Sequence, residues 1–312
     1  MDTKHQNFIS AAVYVYNAES SIAGFLETLY AVLNENFINF EIICVLDDSP
    51  DGSRTVIENL AGGFENCMLS VINMGGYHGV EAAMQAGTDL AVGDFVFEFD
   101  RCPADYPPDL IIRAYERLLE GYDIVSCGGG RSGAASKIFY SVYNRYSGTK
   151  YNLKSESFRI ISRRAINRVQ SMSINRPYRK AQYASCGLKS DYIAYSPVRK
   201  NKNPAQPLKN PHDTALTSLI LFTDVAYKIT LCLTFIMMAS AMAAAVYVLA
   251  VYLLGSPAEG YTTMMLFMSG VFFALFAVLS VIIKYLSVIA GLVFNKQRYI
   301  IESIEKITKA GK

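Results

Sequence analysis

The sequence predicts an α/β protein, a mostly parallel sheet with helices on both faces, followed by a transmembrane helical hairpin. Three observations carry this reading. Short apolar, β-rich runs alternate with segments whose apolar residues recur at helical spacing. Several of those runs stop abruptly in polar or acidic residues (Asn17, Asp47 and Asp48, Glu98 and Asp100), where the strands of such sheets gather their ligands. Finally, two uncharged apolar stretches, Ile229 to Leu254 and Tyr261 to Ile283, are joined only by Gly255 to Gly260. Each exceeds the roughly 18 to 20 residues that cross a bilayer as a helix.

The first element is a strand at Phe8 to Tyr16, broken at Asn17. A helix follows over Ala18 to Asn34, with Ile22, Phe25, Leu26, Leu29, Val32 and Leu33 at helical spacing. Glu41 to Leu46 is a second buried strand, Ser53 to Leu60 a helix, Met68 to Asn73 a third strand and Val80 to Ala91 a helix. Phe95 to Phe99 is a fourth strand. Ile111 to Leu119 is helical, Tyr122 to Ser126 and Ser157 to Ser162 are strands, and Arg163 to Met172 is a helix. Between them lie the glycine-rich Cys127 to Gly133 and a polar, aromatic stretch. Arg176 to Pro211, rich in Pro, Asn and Lys, reads as a loop-bearing connector. Thr214 to Tyr227 has an apolar face and suits an interfacial helix before the first span.

The predicted organisation is a catalytic domain at 1–212, a juxtamembrane helix at 213–228, two membrane helices within 229–295 and a basic tail at 296–312. The 312 residues carry a net charge of +2, and no Lys/Arg-rich block precedes the hairpin, which argues against a nucleic-acid partner. The six cysteines are scattered without a CxxC pair, so reduced thiols are expected rather than a zinc site or a disulfide framework. MDTKHQNF lacks the apolar core of a signal peptide. Arg199, Lys200, Lys202, Lys209 and Lys228 precede the first span, and Lys296, Arg298, Lys306 and Lys309 follow the second, whereas the loop between carries only Glu259. The positive-inside rule then puts the catalytic domain and both termini in the cytoplasm and the protein in the cell membrane. Lys284 suits snorkelling to the inner interface. Small residues at Ala239 to Ala245 would let helices approach closely in a homo-oligomer.

Two acidic clusters are the candidates for chemistry. In Asp47-Asp48-Ser49-Pro50-Asp51-Gly52-Ser53, carboxylates at a strand end can accept from a nucleobase N–H and a ribose hydroxyl. The same residues also read as an Asx turn, with Asp51 or Ser53 capping the next helix. In Glu98-Phe99-Asp100, strand alternation puts both acids on one side, where oxygen ligands suit Mg2+ or Mn2+; a solvated strand end is the plainer alternative.

The ordered strings YVYNAESSI, EIICVLDDSPDGS and NMGGYHGVEAAMQAGTDLAVGDFVFEFD resemble the family 2 glycosyltransferases of the GT-A fold. With SFRIISRRAI, two apolar helices and an RYIIES tail, the chain is similar to the transferases that load sugars onto dolichyl or undecaprenyl phosphate. The resemblance implies nucleotide binding by Tyr16, Asn17, Glu19, Asp47 and Asp48. His78, in the NMGGYHG turn, is placed to touch the nucleotide or diphosphate, although a loop histidine bonded to backbone is the simpler reading. By position, the resemblance also implies metal and diphosphate binding by Glu98 and Asp100. Asp100, Arg159 and Arg131 are the candidate catalytic residues, the two arginines as phosphate clamps, with structural salt bridges as the competing use for both. Gly93-Asp94 matches a family pair that shapes the turn into the strand.

The departures are specific. Tyr14 stands at the family's Pro and Ala18 at its first Glu, and EFDRCPADYPP replaces the usual Asp-x-Asp string, so the metal role passes to Asp100, draws in Asp105, or weakens. The family's Gly-Asp-Phe-Arg is Glu156-Ser157-Phe158-Arg159, which removes a carboxylate unless Glu156 substitutes. An ionised lipid phosphate tolerates that loss better than a sugar hydroxyl, which must give up a proton. The expected activity is inverting transfer of a sugar from a nucleotide-diphosphate donor to a polyprenyl phosphate. Transfer to a hydroxyl of a lipid-linked saccharide or envelope glycan, and a catalytically degenerate scaffold that pairs with another membrane enzyme, remain as alternatives.

Overall fold

The computed structural model describes residues 4–102, 105–129, 140–141, 143–145, 151–172, 178–197, 225–255, 260–293 and 299–307. The chain divides into two units, Met1–Ala215 with Lys296–Lys312, and Leu216–Asn295.

The first unit is built in the order β1 (Ile9–Val15), α1 (Glu19–Asn36), β2 (Phe40–Leu46), α2 (Ser53–Ala61), β3 (Met68–Met74), α3 (Val80–Leu90) and β4 (Phe95–Phe99). It continues with α4 (Asp109–Leu119), β5 (Ile124–Gly128), β6 (Phe158–Ser162), α5 (Arg163–Ser171), α6 (Arg179–Ser185) and β7 (Ser190–Ala194). After the second unit, β8 (Ile301–Lys306) returns to the same sheet, whose order is β7-β5-β6-β4-β1-β2-β3-β8. Strands β1, β2, β3 and β4 are mutually parallel, as are β5 and β7; β6 runs against both β4 and β5, and β8 against β3.

Continuous apolar runs such as ISAAVYV and FEIICVL are buried along their whole length because helices cover both faces. On one face, α1, α2 and α4 press Leu26, Leu29, Ile57 and Tyr115 onto Val13, Cys44, Phe97 and Ile160. On the other, α3, α5 and α6 set Met84, Ile166 and Tyr183 against Ala12, Val45, Val96 and Ile161.

Register decides what meets at the strand ends. Val13 lies beside both Cys44 and Phe99, so the residues following β1, β2 and β4 emerge together. Because β6 is antiparallel to β4, Arg159 falls directly opposite Glu98.

The second unit pairs α7 (Val225–Leu254) with α8 (Tyr261–Val293). Leu231–Leu254 and Tyr261–Leu286 have mean hydropathies of 2.1 and 2.6, and both are long and apolar enough to cross a membrane. Only 6% and 0% of their most apolar windows is buried, the reverse of a helix in a protein core. The interfacial helix expected at Thr214 to Tyr227 lies mostly outside the described residues, as does Arg131.

Three elements depart from the sequence reading. The connector at Arg176 to Pro211 holds α6 and β7, and the basic tail holds β8.

Candidate active site

The site begins with a laced pair of turns. Asn17 adopts a left-handed φ of 48° and Asp48 one of 55°, a conformation that Asn and Asp tolerate better than most residues. The Asn17 N–H donates to Ser49 Oγ (3.1 Å), the Ala18 N–H to Ser53 Oγ (2.9 Å) and the Glu19 N–H to Asp51 Oδ2 (3.0 Å). In return, the Gly52 N–H donates to Glu19 Oε2 (2.9 Å), and a Cβ at Gly52 would sit 2.8 Å from that carboxyl. Burial raises the Asp51 carboxyl slightly, but the hydrogen bonds from Ser53 and the Glu19 backbone outweigh it and leave its pKa lowered. Asp51 forms the expected Asx turn, accepting from the Ser53 N–H (3.2 Å), but neither Asp51 nor Ser53 caps the helix, whose N-cap is Gly52 without a side-chain bond, and Glu19 braces the turn.

The two central acids then separate. Asp47 is fully buried. Its Oδ1 accepts from the His78 N–H (2.7 Å), and its Oδ2 from the Gly79 N–H (2.7 Å) and the Tyr14 hydroxyl (2.9 Å). Burial, and then the Asp47 charge, push the Tyr14 hydroxyl well above its ordinary range. Asp47, expected as a nucleotide ligand, here has both oxygens holding the 75–79 loop and Tyr14 in place. Asp48 is exposed, and its carboxylate has no partner among the described residues. Beside it, Asn17 Oδ1 is a buried acceptor without a hydrogen-bond donor, and Tyr16 leans on Tyr77 with ring centroids 4.9 Å apart. Tyr16, Asn17 and Asp48 thus follow the ends of β1 and β2, with the His78 loop joined to them by the Tyr16–Tyr77 contact.

The second cluster, at the end of β4, is an ion network. Glu98 is fully buried; its Oε1 accepts from Thr88 Oγ1 (2.8 Å) and the Tyr183 hydroxyl (2.8 Å). Its Oε2 lies 2.8 Å from Arg159 Nη1 and 2.6 Å from Arg179 Nη1. Asp100 meets Arg159 Nη2 at 3.0 Å and Arg179 Nη2 at 2.5 Å. Arg179 also approaches Glu81 (3.3 Å), and Arg159 meets Glu156 (2.7 Å). Burial acts to raise Asp100, but Arg179, Arg159 and Lys180 overcome it and hold the carboxyl far below the usual range. Burial acts to lower Arg159, and Glu156, Asp100 and Glu98 reverse that. At Glu81, burial prevails over Arg179 and its pKa rises.

The expected metal pair does not fit a divalent ion. All four oxygens of Glu98 and Asp100 are engaged by side-chain donors, and two arginines face them. No group of three or more His, Cys, Asp or Glu able to hold a metal occurs among the described residues. Asp105, the other carboxylate considered, instead accepts from the Tyr195 hydroxyl, which also lies 2.5 Å from Ser157 Oγ.

Behind Arg159 opens a cavity of about 250 Å3, walled by Glu156, Lys180, Tyr183, Ser126, Ser190 and Tyr192 among others. Lys180 Nζ is 3.3 Å from Glu156. Despite burial, Arg159, Lys180 and Ser126 keep the Glu156 carboxyl below its usual value and hence ionised. Asp94, away from this cavity, accepts from the Phe8 N–H (2.9 Å), and a Cβ at Gly93 would sit 2.7 Å from Phe8 O, so this pair shapes the turn into β4.

Arg179, Lys180 and Glu81 were not foreseen. The two cations lie in the stretch read as a connector, where no period or motif distinguishes them from solvated charge.

Comparison with known proteins bears on this geometry. The sequence model of Glycosyl transferase family 2 matches residues 10–181. A Synechocystis sp. protein described as an uncharacterized glycosyltransferase is 27% identical over 277 residues, 84% of this chain and 86% of that one. The SfII prophage-derived bactoprenol glucosyl transferase of Shigella flexneri is 25% identical over 309 residues, 94% of this chain and 97% of its own. A solved structure of glucosyl-3-phosphoglycerate synthase from Mycobacterium tuberculosis, in complex with Mn2+, UDP-glucose and phosphoglyceric acid, aligns with a TM-score of 0.50. At 15% identity over 68% of this chain and 79% of that one, it shows the shared GT-A fold.

Proposed function

The chain belongs to glycosyl transferase family 2, a nucleotide-sugar-dependent glycosyltransferase, and from that premise we propose that it is a membrane-anchored, inverting enzyme whose acceptor is a polyprenyl phosphate on the cytoplasmic leaflet. Relatives named for bactoprenol glucosyl transfer align along nearly the whole chain, the two apolar helices included. The observation that carries the acceptor class is that, among the described residues, both carboxylates lining the cavity are paired with cations, Asp191 with Arg117 and Glu156 with Arg159 and Lys180. Ser157 stands where the family's carboxylate would be, and its hydroxyl is bonded to Tyr195. Glu156, the possible substitute, is held ionised between Arg159 and Lys180 and is a weak proton acceptor. A sugar hydroxyl needs its proton removed. A lipid phosphate arrives as an anion and does not.

In this reading, Tyr16, Asn17, Asp48 and the His78 loop hold the nucleoside. The diphosphate lies towards Asp100, the most exposed member of the ion network, beside the Nη2 atoms of Arg159 and Arg179. One phosphate oxygen of the acceptor forms a bond to the anomeric carbon as the carbon–oxygen bond to the nucleoside diphosphate breaks. The bonding pair leaves with the nucleoside diphosphate, and no proton moves. A single displacement inverts the anomeric centre. Since arginines saturate Glu98 and Asp100, neither Mg2+ nor Mn2+ is given a part in the step.

Purified full-length protein in detergent, incubated with radiolabelled UDP- and GDP-sugars and undecaprenyl phosphate, should yield a labelled lipid. The same incubations run with Mg2+, with Mn2+ and with EDTA read metal dependence separately. Label transferred only to a lipid-linked glycan would overturn the acceptor, and no transfer or donor binding at all would favour the degenerate scaffold.

A further inference from the structure

We propose that β8, the strand that follows the membrane hairpin, is a positioning element of the donor site, holding the 75–79 loop through His78 in the shape that meets the nucleotide. The inference rests on the reading of that loop as part of the donor site.

Gly76 and Gly79 adopt φ of 144° and 84°, conformations that residues with a side chain rarely take up. The loop's fixed points are external. One is Asp47, which takes the His78 and Gly79 N–H groups. The other is the tail. Ile300 O accepts from the Gly75 N–H at 2.9 Å, and the Ile300 N–H donates to His78 Nε2 at 3.2 Å. His78 Nδ1 lies 2.6 Å from Gly76 O. A carbonyl can only accept, so Nδ1 carries the proton and Nε2 is left as the acceptor that Ile300 requires. One neutral tautomer satisfies both contacts, and the imidazole bridges the loop to the tail.

The tail itself is held firmly. Strand β8 pairs with β3 from Ser70 opposite Lys306 to Met74 opposite Ile301, with a register shift at Asn73 and Met74. Asn73 Nδ2 donates to Ser303 Oγ (2.7 Å) and Glu305 Oε1 (3.1 Å), and the Tyr299 hydroxyl to Asp89 (2.5 Å). These contacts fix Ile300, Ile300 fixes His78, and the same loop carries Tyr77 against Tyr16 at the mouth of the site.

The test uses the full chain in detergent and titrates UDP and GDP by calorimetry, each with and without Mn2+. Ile300→Pro removes the donating N–H, His78→Ala removes the bridge, and His78→Gln restores an acceptor on a longer side chain. The expected result is a rise in Kd of up to about tenfold for Ile300→Pro and His78→Ala, the upper scale of one lost hydrogen bond, with binding stoichiometry unchanged. His78→Gln should recover most of that affinity. Arg54→Ala, which strips two exposed ion pairs, to Glu58 and to Glu305 at the far end of β8, should leave Kd unaltered. A lower Tm or reduced stoichiometry in Ile300→Pro and His78→Ala, with unchanged Kd, would make β8 a mere sheet edge and overturn the inference. A wild-type chain that binds neither nucleotide would overturn instead the donor-site reading beneath it.

Discussion

Adjacent acids with one-letter identity diverge completely in role here, and mutation should separate them. Asp47 satisfies two backbone N–H groups and a buried hydroxyl. Asp47→Ala leaves all three without an acceptor, at a cost of about 3 kcal/mol or more, which urea denaturation would record as a lower midpoint. Asp48→Asn keeps a residue that accepts the left-handed backbone and removes only an exposed charge. Nucleotide affinity should fall by about tenfold or more in calorimetry, while the urea midpoint stays in place. Asp100 is a mixed case, because it touches the proposed diphosphate position and also neutralises two buried guanidinium groups. Its carboxyl is depressed in the folded protein by Arg179 and Arg159, which overcome burial. A depressed folded pKa contributes stability that is fully present above the unfolded value near ~4 and is lost as pH falls from there towards the folded value. Glu156 adds a shift of the same sign, and the raised Glu81 opposes both. Urea midpoints measured between about pH 5 and pH 3 should therefore fall with acidification in the wild type, and less steeply in Asp100→Asn.

At the scale of elements, the ion network shows why a strand-end motif cannot be read from its own strand alone. Helix α6 delivers Arg179 onto Glu98, Asp100 and Glu81 from a segment with no periodic signal. Arg179→Met should strand three acids in a buried site and cost about 3–5 kcal/mol, and pairing it with Glu98→Gln should return part of that in a double-mutant cycle of urea midpoints. The strands β1 to β6 and helices α1 to α5 were legible because buried parallel strands are continuous apolar runs and their covering helices keep a 3.6-residue period. The strand-end position of Asn17, Asp48 and Asp100 followed from that register. What escaped was whatever depends on partners distant in sequence. SDYIA in β7 is half-buried and short, and IESIEK in β8 exposes alternate residues, so neither carries an apolar run. Alternation correctly put Glu98 and Asp100 on one side, yet the antiparallel entry of β6 opposite them placed Arg159 where the sequence reading had put a metal. Likewise, the family position of Asp47 pointed to a ligand contact, and only the folded 75–79 loop reveals that its oxygens are already taken.

For the whole molecule, the proposed chemistry demands a particular topology. A donor site on the cytoplasmic side, as proposed, puts the sheet there, and a hairpin of two spans would return the chain to the same side. The sequence supports it: lysines and arginines crowd 199–228 and 296–309, and the six-residue connection between the apolar stretches has Glu259 as its one charged residue. The connectivity agrees as well, because residues on both sides of the hairpin, 9–194 and 301–306, contribute strands to one sheet and so must lie on one face of the membrane. Single cysteines distinguish the two orientations directly. With Cys102 and Cys232 replaced by serine and the four buried thiols left in place, Ser256→Cys should react with a membrane-impermeant maleimide in right-side-out vesicles, whereas Ala310→Cys should react only once the vesicles are opened or inverted. The opposite labelling pattern would put the donor site outside, away from its nucleotide, and the polyprenyl-phosphate assignment could not stand however well the purified domain bound UDP or GDP.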